Sequence, residues 1–409
     1  MRSSAVVAIV AVPMLTEIFT PDDFGALALM SAIAATAGTI ASGRYEMVCI
    51  VAPHDEAGNA TARQAASVAS WLSVGAGALF AGVSLFLYLG YGGLGRPSVV
   101  VFGIPVLIAL TGIGAAQVLL DTRLGNYGLL AVLTVLRSVG MVIVQVGWGH
   151  FYPSLSALIV PFIAFSAIPL VRLLWLLRLH PARNQMPTRE FLRRYRTYPI
   201  FQVPAALANS LSSNIIVFAL GGAYGVTSVG IYSIATRITS APSAMVAGPV
   251  NTVYFREAAR LSRDRRKSLQ MYGGVVVGLL VVGVAGFVLL AFLTQPLVGL
   301  LGSDWTGAAG MILATIPMGL ALFITAPANS ALIAYGQQAQ LLAWRVGLVV
   351  TPPLLILFGP RLGWSDSAAV AAASVALLAG TIGYLLFGLR VVRRGEFQEC
   401  DPTSALEEL

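Results

Sequence analysis

Apolar stretches about as long as a bilayer is thick recur from one end of this chain to the other, separated by short polar gaps. A helix needs roughly 20 apolar residues to cross the hydrocarbon core, and a soluble fold has no interior large enough to hide so many. Of 409 residues, 57% are hydrophobic and 10% charged, against about 25% charged in an ordinary soluble domain. The excess apolar surface must face lipid. Twelve stretches read as spans: 5–19, 24–42, 66–89, 98–120, 127–146, 153–177, 199–220, 226–246, 273–298, 308–332, 341–358 and 367–389. The first follows Arg2 and has the outline of a signal peptide, but no small-residue cleavage site precedes the next stretch, so it reads as a membrane helix.

Nearly all the positive charge is arginine, Lys267 being the one lysine, and it falls in alternate gaps. Arg63, Arg123, the segment Arg178 to Arg196, the segment Arg256 to Lys267, and Arg390, Arg393 and Arg394 share one side, whereas the opposite gaps carry Arg96 and Arg361. By the positive-inside rule both termini are expected in the cytoplasm. The net charge of +8 borders the apolar stretches and forms no single patch, which argues for anionic lipid headgroups and against nucleic acid.

The longest polar segment splits the spans into two sets of six. The expected organisation is a six-helix bundle over 1–180, a basic cytoplasmic linker over 181–198, a second six-helix bundle over 199–390, and a tail over 391–409. Phe24-Gly25 and Val229-Gly230 open the second span of each set just after an outward turn. That correspondence points to a parallel duplication, a plan common among transporters.

Several chemistries are excluded. A phosphate-cradling Gly-x-x-x-x-Gly-Lys-Ser/Thr loop is missing, His54, His150 and His180 are too scattered for a metal site, and Cys49 and Cys400 offer no disulfide framework. No Gly-x-Ser-x-Gly elbow appears, and the outward gaps are too short for a catalytic domain. The chain reads as a non-enzyme without cofactors.

Function is then sought in charges left inside the spans. Arg137 and Arg237 fall mid-span, and Arg345 lies near the start of the eleventh stretch. A charge at a helix centre costs about 2.5–3.5 kcal/mol, so each either pairs with a neighbour or faces a cavity for an anion, which guanidinium groups bind in bidentate fashion. In the seventh span Gln202, Asn209 and Ser213 share one face, with Ser210 and Asn214 beside it. These amides and hydroxyls either join helices or meet sugar hydroxyls. Prolines 105, 161, 169, 204, 242, 317 and 327 lie inside spans, where they kink helices.

Thr20-Pro21-Asp22-Asp23-Phe24-Gly25, Ser42-Gly43-Arg44-Tyr45-Glu46 and Pro53-His54-Asp55-Glu56 together resemble the polysaccharide biosynthesis exporters, the O-antigen-type lipid-linked oligosaccharide flippases of the multidrug/oligosaccharidyl-lipid/polysaccharide exporter superfamily. Gly230-Ile-Tyr-Ser-Ile-Ala-Thr-Arg237 and Gly302-Ser-Asp-Trp305 extend the likeness. Glu17 departs from it, standing where the family often has arginine, and the start is short by comparison.

The resemblance implies an all-α polytopic fold of about twelve transmembrane helices in two six-helix bundles around a central cavity. It implies movement of undecaprenyl-pyrophosphate-linked sugar repeats across a bacterial inner membrane by alternating access with ion or proton antiport, for O-antigen, capsule or exopolysaccharide. Polysaccharide polymerase and chain-length proteins are the implied partners. Arg44 and Glu46 close the second span. They either snorkel and pair locally, or Arg44 receives a pyrophosphate while Glu46 carries a coupled proton. The candidate substrate-binding set is therefore Arg44, Arg137, Arg237, Arg345, Asn209 and Asn214, with Glu46 for coupling. A multidrug or peptidoglycan-precursor exporter of the same superfamily, and a membrane polymerase or ligase, are the competing readings.

Overall fold

The structure is a computed structural model that describes residues 11–90, 99–179, 186–247, 250, 253–254, 257, 265–325, 327–329, 332 and 337–394. Among the described residues it is helical throughout, without strands. Its long helices are α1 (Pro21–Ala41), α2 (Glu56–Gly90), α3 (Val99–Arg123), α4 (Tyr127–Phe151), α5 (Leu155–Ser166), α6 (Ile168–Leu179), α7 (Val203–Tyr224), α8 (Val226–Pro242), α9 (Arg265–Val298), α10 (Ala308–Ile324), α11 (Gln338–Phe358) and α12 (Asp366–Arg394). Ten segments of the described residues are long and apolar enough to cross a membrane, α5 and α6 forming one of them. The first stretch lies partly outside the described residues. The eighth is shortened because Pro242 ends α8 and a π-helical turn, Ser243–Ala247, follows. This is an all-α, multi-pass membrane fold.

Lipid exposure explains the surface. Phe292 is 80% exposed and Trp71 and Phe86 are each 74% exposed, a costly display in water and a neutral one against acyl chains. Local sequence sets the helix starts. Thr20 accepts from the Asp23 amide at 3.3 Å while Asp23 accepts from the Thr20 amide at 3.1 Å, with Pro21 at the first helical position. Such a reciprocal cap is worth about 1 kcal/mol. The apolar sixth stretch breaks at Ala167, two residues before Pro169, into α5 and α6.

Contacts divide the chain into two compact units. The first comprises 3–221 with 225–230, the second 222–224 with 231–409. In the first, a stripe of fully buried alanines on α2 (Ala62, Ala65, Ala66 and Ala69) lets α3 approach and pack through Ile113, Ala116 and Leu120. The segment read as a linker also belongs here. Its short helix Thr188–Arg194 sinks Phe191 completely, 5.9 Å from the Tyr45 ring, and Gln64 Nε2 donates to the Met186 carbonyl at 2.5 Å. The division falls at the end of α7, later than the 181–198 segment. α7 packs on α1, where a Cβ on Gly221 would lie 3.0 Å from Leu29.

The second unit centres on Phe287, Phe323, Tyr384 and Leu385. Its buried tyrosines are satisfied: Tyr272 donates to the Leu385 carbonyl and Tyr384 to Asn329 Oδ1, both at 2.8 Å.

Candidate functional site

The end of α1 supplies the first piece of the site. Ser42 and Gly43 stop the helix, and Gly43 and Arg44 both take left-handed backbone, φ 61° and 60°. Arginine at positive φ is held there against a steric cost of about 1–2 kcal/mol. The reversal turns the chain into the short helices Tyr45–Met47 and Val48–Val51 and carries Glu46 inward, where it is 1% exposed. Arg44 Nη1 donates to Glu46 Oε1 at 3.3 Å. Arg44 Nε and Glu46 Oε2 are buried without a hydrogen-bond partner among the described residues. Each such group costs about 1–3 kcal/mol when dry.

Its neighbours are fixed by a charge counted at first as an orientation signal. Arg123, the last residue of α3, donates from Nη1 to the Cys49 and Ala52 carbonyls at 2.9 and 2.8 Å, from Nη2 to the Pro53 carbonyl, and from Nε to Asn59 Oδ1 at 2.8 Å. One guanidinium thus closes the end of the Val48–Val51 helix, where terminal carbonyls run out of intrahelical partners. Burial raises the Tyr45 phenol above its ordinary range. Burial first, then the Glu46 carboxylate, pushes the Cys49 thiol up to about 12, with Arg123 acting against the rise.

Arg44 and Glu46 open onto a cavity of about 650 Å³ that also holds Arg137, Ser31, Thr111 and Ser166. Its size is within the range of small-molecule sites, about 300–1,000 Å³. Arg137, mid-way along α4, reaches across to α5, where Nη2 donates to Ser166 Oγ at 2.9 Å. The Ser166 hydroxyl donates to the Phe162 carbonyl at 2.7 Å, leaving its oxygen to accept from Arg137. Among the described residues no carboxylate pairs with Arg137. Two guanidiniums and one carboxylate leave the cavity positive, so an anion is the ligand its electrostatics favour.

Three expected residues, Arg44, Glu46 and Arg137, thus meet in one place in the first unit. Asn214 donates to the Ser210 carbonyl at 2.9 Å and approaches Thr36 of α1 at 3.4 Å, as does Ser210. These two do what polar groups between membrane helices commonly do. Asn209 is exposed on another face of α7. Arg237 is half-buried in α8, and Arg345 is exposed on α11, both in the second unit.

Sequence reasoning missed Ser166 and the buried pair Arg172–Asp121. Arg172, inside α6, donates from Nη2 to Asp121 Oδ1 at 2.7 Å and from Nε to Oδ2 at 3.2 Å, while Gln117 and Asn126 complete the carboxylate at 2.5 and 2.8 Å. An arginine inside one apolar stretch and an aspartate directly after the end of another, with Gln117 four residues before the aspartate, were the available signal.

With this geometry in view, the likenesses to known proteins fall into place. A family model described as "Polysaccharide biosynthesis protein" matches residues 14–310. No curated protein matches the sequence significantly. The fold is similar to "Lipid II flippase MurJ, inward closed conformation", with TM-score 0.69 and 15% identity over 95% of this chain and 86% of that one. It is also similar to an inward-facing multidrug resistance MATE family transporter of the MOP superfamily, with TM-score 0.65 and 13% identity over 98% and 96%. An outward-facing MATE family transporter aligns with TM-score 0.55 and 12% identity over 97% of each chain.

Proposed function

The chain belongs to the polysaccharide biosynthesis protein family, its model spanning 14–310, and from that premise we propose that it is a flippase of lipid-pyrophosphate-linked oligosaccharides, passing repeat units of a surface polysaccharide across a bacterial inner membrane. The observation that carries this reading is the positive cavity walled by membrane-spanning helices, with Arg137 free of any carboxylate among the described residues and Arg44 at its edge. Guanidinium groups hold phosphate oxygens in bidentate geometry and stay charged when partly dehydrated. The two units act as halves of an alternating-access carrier, with both termini in the cytoplasm. Arg237 and Arg345, in the second unit, are further candidate substrate contacts, and Asn209 presents an amide to sugar hydroxyls. Polymerase and chain-length proteins take the product on the far side.

The fold-level likeness to a lipid II flippase supports a second reading, a peptidoglycan precursor, which carries the same pyrophosphate chemistry. A multidrug exporter of cationic compounds fits less well, since its cavity calls for carboxylates.

Deletion followed by lipid analysis separates these readings. Undecaprenyl-linked sugar repeats accumulating in the cytoplasmic leaflet support the proposal, accumulation of lipid II supports the second reading, and flipped single repeats would identify a polymerase instead. Arg137→Ala and Arg237→Ala should each abolish export while the protein still inserts. Ser166→Ala should slow it about fivefold, the worth of one hydrogen bond near 1 kcal/mol. Full polysaccharide production by Arg137→Ala overturns the cavity's role.

A further inference from the structure

The helix pair α11–α12 carries two adjoining cavities of opposite character. At its arginine-rich end, Gln337, Gln340, Arg390 and Arg394 line a space of about 300 Å³ with Phe387. Deeper along the same pair, a cleft of about 400 Å³ is walled by Trp344, Gly347, Leu348, Ala376, Leu377 and Gly380. The two meet where the Trp344 ring packs against Phe387, centroids 6.1 Å apart. Glycines shape the cleft. A Cβ on Gly380 would come 2.7 Å from Leu348 and one on Gly383 3.1 Å from Trp344, so the helices touch there, whereas a Cβ on Gly347 would meet nothing within 4 Å. Gly347 is the open floor of the cleft.

We propose that this groove holds one anionic phospholipid, its phosphodiester between Arg390 and Arg394 and an acyl chain along Trp344, Gly347 and Gly380. Charge complementarity fixes the head: two arginines four residues apart share one face of α12, the amides of Gln337 and Gln340 add donors, and no carboxylate lies among the described lining. Length fixes the tail. From Arg390 to Gly380 and Ala376 is ten to fourteen residues, about 15–21 Å of helix, and half of a hydrocarbon core about 30 Å thick is about 15 Å. The groove therefore accommodates a lipid of one leaflet, on the arginine-rich side. None of its residues lines the Arg137 cavity.

Native mass spectrometry of the full-length protein in detergent tests the site without any transport step, so its outcome is independent of the flippase reading. Phosphatidylglycerol should be retained in preference to phosphatidylcholine of identical chains. Arg390→Gln with Arg394→Gln should lower that preference roughly fivefold per arginine, and Arg390→Lys with Arg394→Lys should keep it, which controls for folding. Gly347→Leu, which fills the open floor, should weaken both lipids alike. An unchanged preference in the double glutamine variant overturns the proposal. So does displacement of phosphatidylglycerol by millimolar inorganic phosphate, which marks a free-anion site, or by an equimolar polyprenyl pyrophosphate, which marks a carrier-lipid site.

Discussion

Gly230 lies directly on Gly25: a Cβ built on Gly230 would come 2.9 Å from the Gly25 amide nitrogen and 1.8 Å from the Pro21 carbonyl oxygen. The approach is reciprocal, for a Cβ on Gly25 would come 2.0 Å from the Val226 carbonyl oxygen. The start of α8 thus crosses the start of α1 backbone to backbone, and the Thr227 hydroxyl donates to Asp22 Oδ1 beside the crossing. The obstacle at both glycines is main chain, which no rotamer change can clear.

Alanine at either glycine should therefore lower thermal stability by the equivalent of about 1–3 kcal/mol, as overpacking does. A thermal melt of the purified protein checks this, and an unshifted midpoint for Gly230→Ala refutes the crossing. A disulfide between Asp22→Cys and Thr227→Cys should halt export until it is reduced.

Arg44 and Glu46 are coupled through burial. Replacing Arg44 by Ala strands a carboxylate that is 1% exposed, a loss of about 3–5 kcal/mol for a broken buried pair. Arg44→Ala with Glu46→Gln should recover most of that stability, because no charge is then left unpaired. Export measured against pH in Glu46→Gln examines the coupling role separately: an unchanged profile excludes Glu46 as the proton carrier.

Asp121 and Arg172 should behave as a structural pair. Either Asp121→Leu or Arg172→Leu alone should deplete folded protein, while the double substitution should restore a large part of it. Replacing both partners of a buried ion pair by apolar residues is often neutral or better. Protein yield and melting of the three variants give the interaction term directly.

Cys49 should be nearly inert. With Cys400 replaced by serine it is the one thiol left. Raised from an ordinary 9.0 to about 12, it holds about one thiolate in 10,000 at pH 8, against about one in ten for the unshifted group, so alkylation should be on the order of 1,000-fold slower. Denaturant should abolish the difference. The sign of the linkage is fixed: the folded thiol keeps its proton where the unfolded one ionises. Stability from this group is complete below pH 9 and falls progressively as pH climbs toward 12.

The membrane spans, the alternating arginines and the helix start at Thr20 were readable residue by residue, because hydrophobic length and capping are local properties of the chain. Arg44, Glu46 and Arg137 could be singled out for the same reason: a charge in or beside an apolar stretch is conspicuous wherever it folds. Their meeting in one cavity could not be read. Ser166 is one serine among many until α5 brings it within 2.9 Å of Arg137. Arg123 and Arg178 look alike as loop arginines, yet Arg123 makes four hydrogen bonds, three of them to carbonyls at and just past a helix end.

By itself, then, the sequence determined that this chain lives in a bilayer, which ends of its helices carry the charge, and which charges were left over for function. The tertiary structure decided which of those charges share a space, where α7 packs, and that Gly25 and Gly230 are one crossing rather than two separate turns. The physical reason is that burial in lipid depends on composition along the chain, whereas a cavity, a capped carbonyl or a glycine crossing depends on residues tens to hundreds of positions apart. Their approach is fixed only when the helices pack.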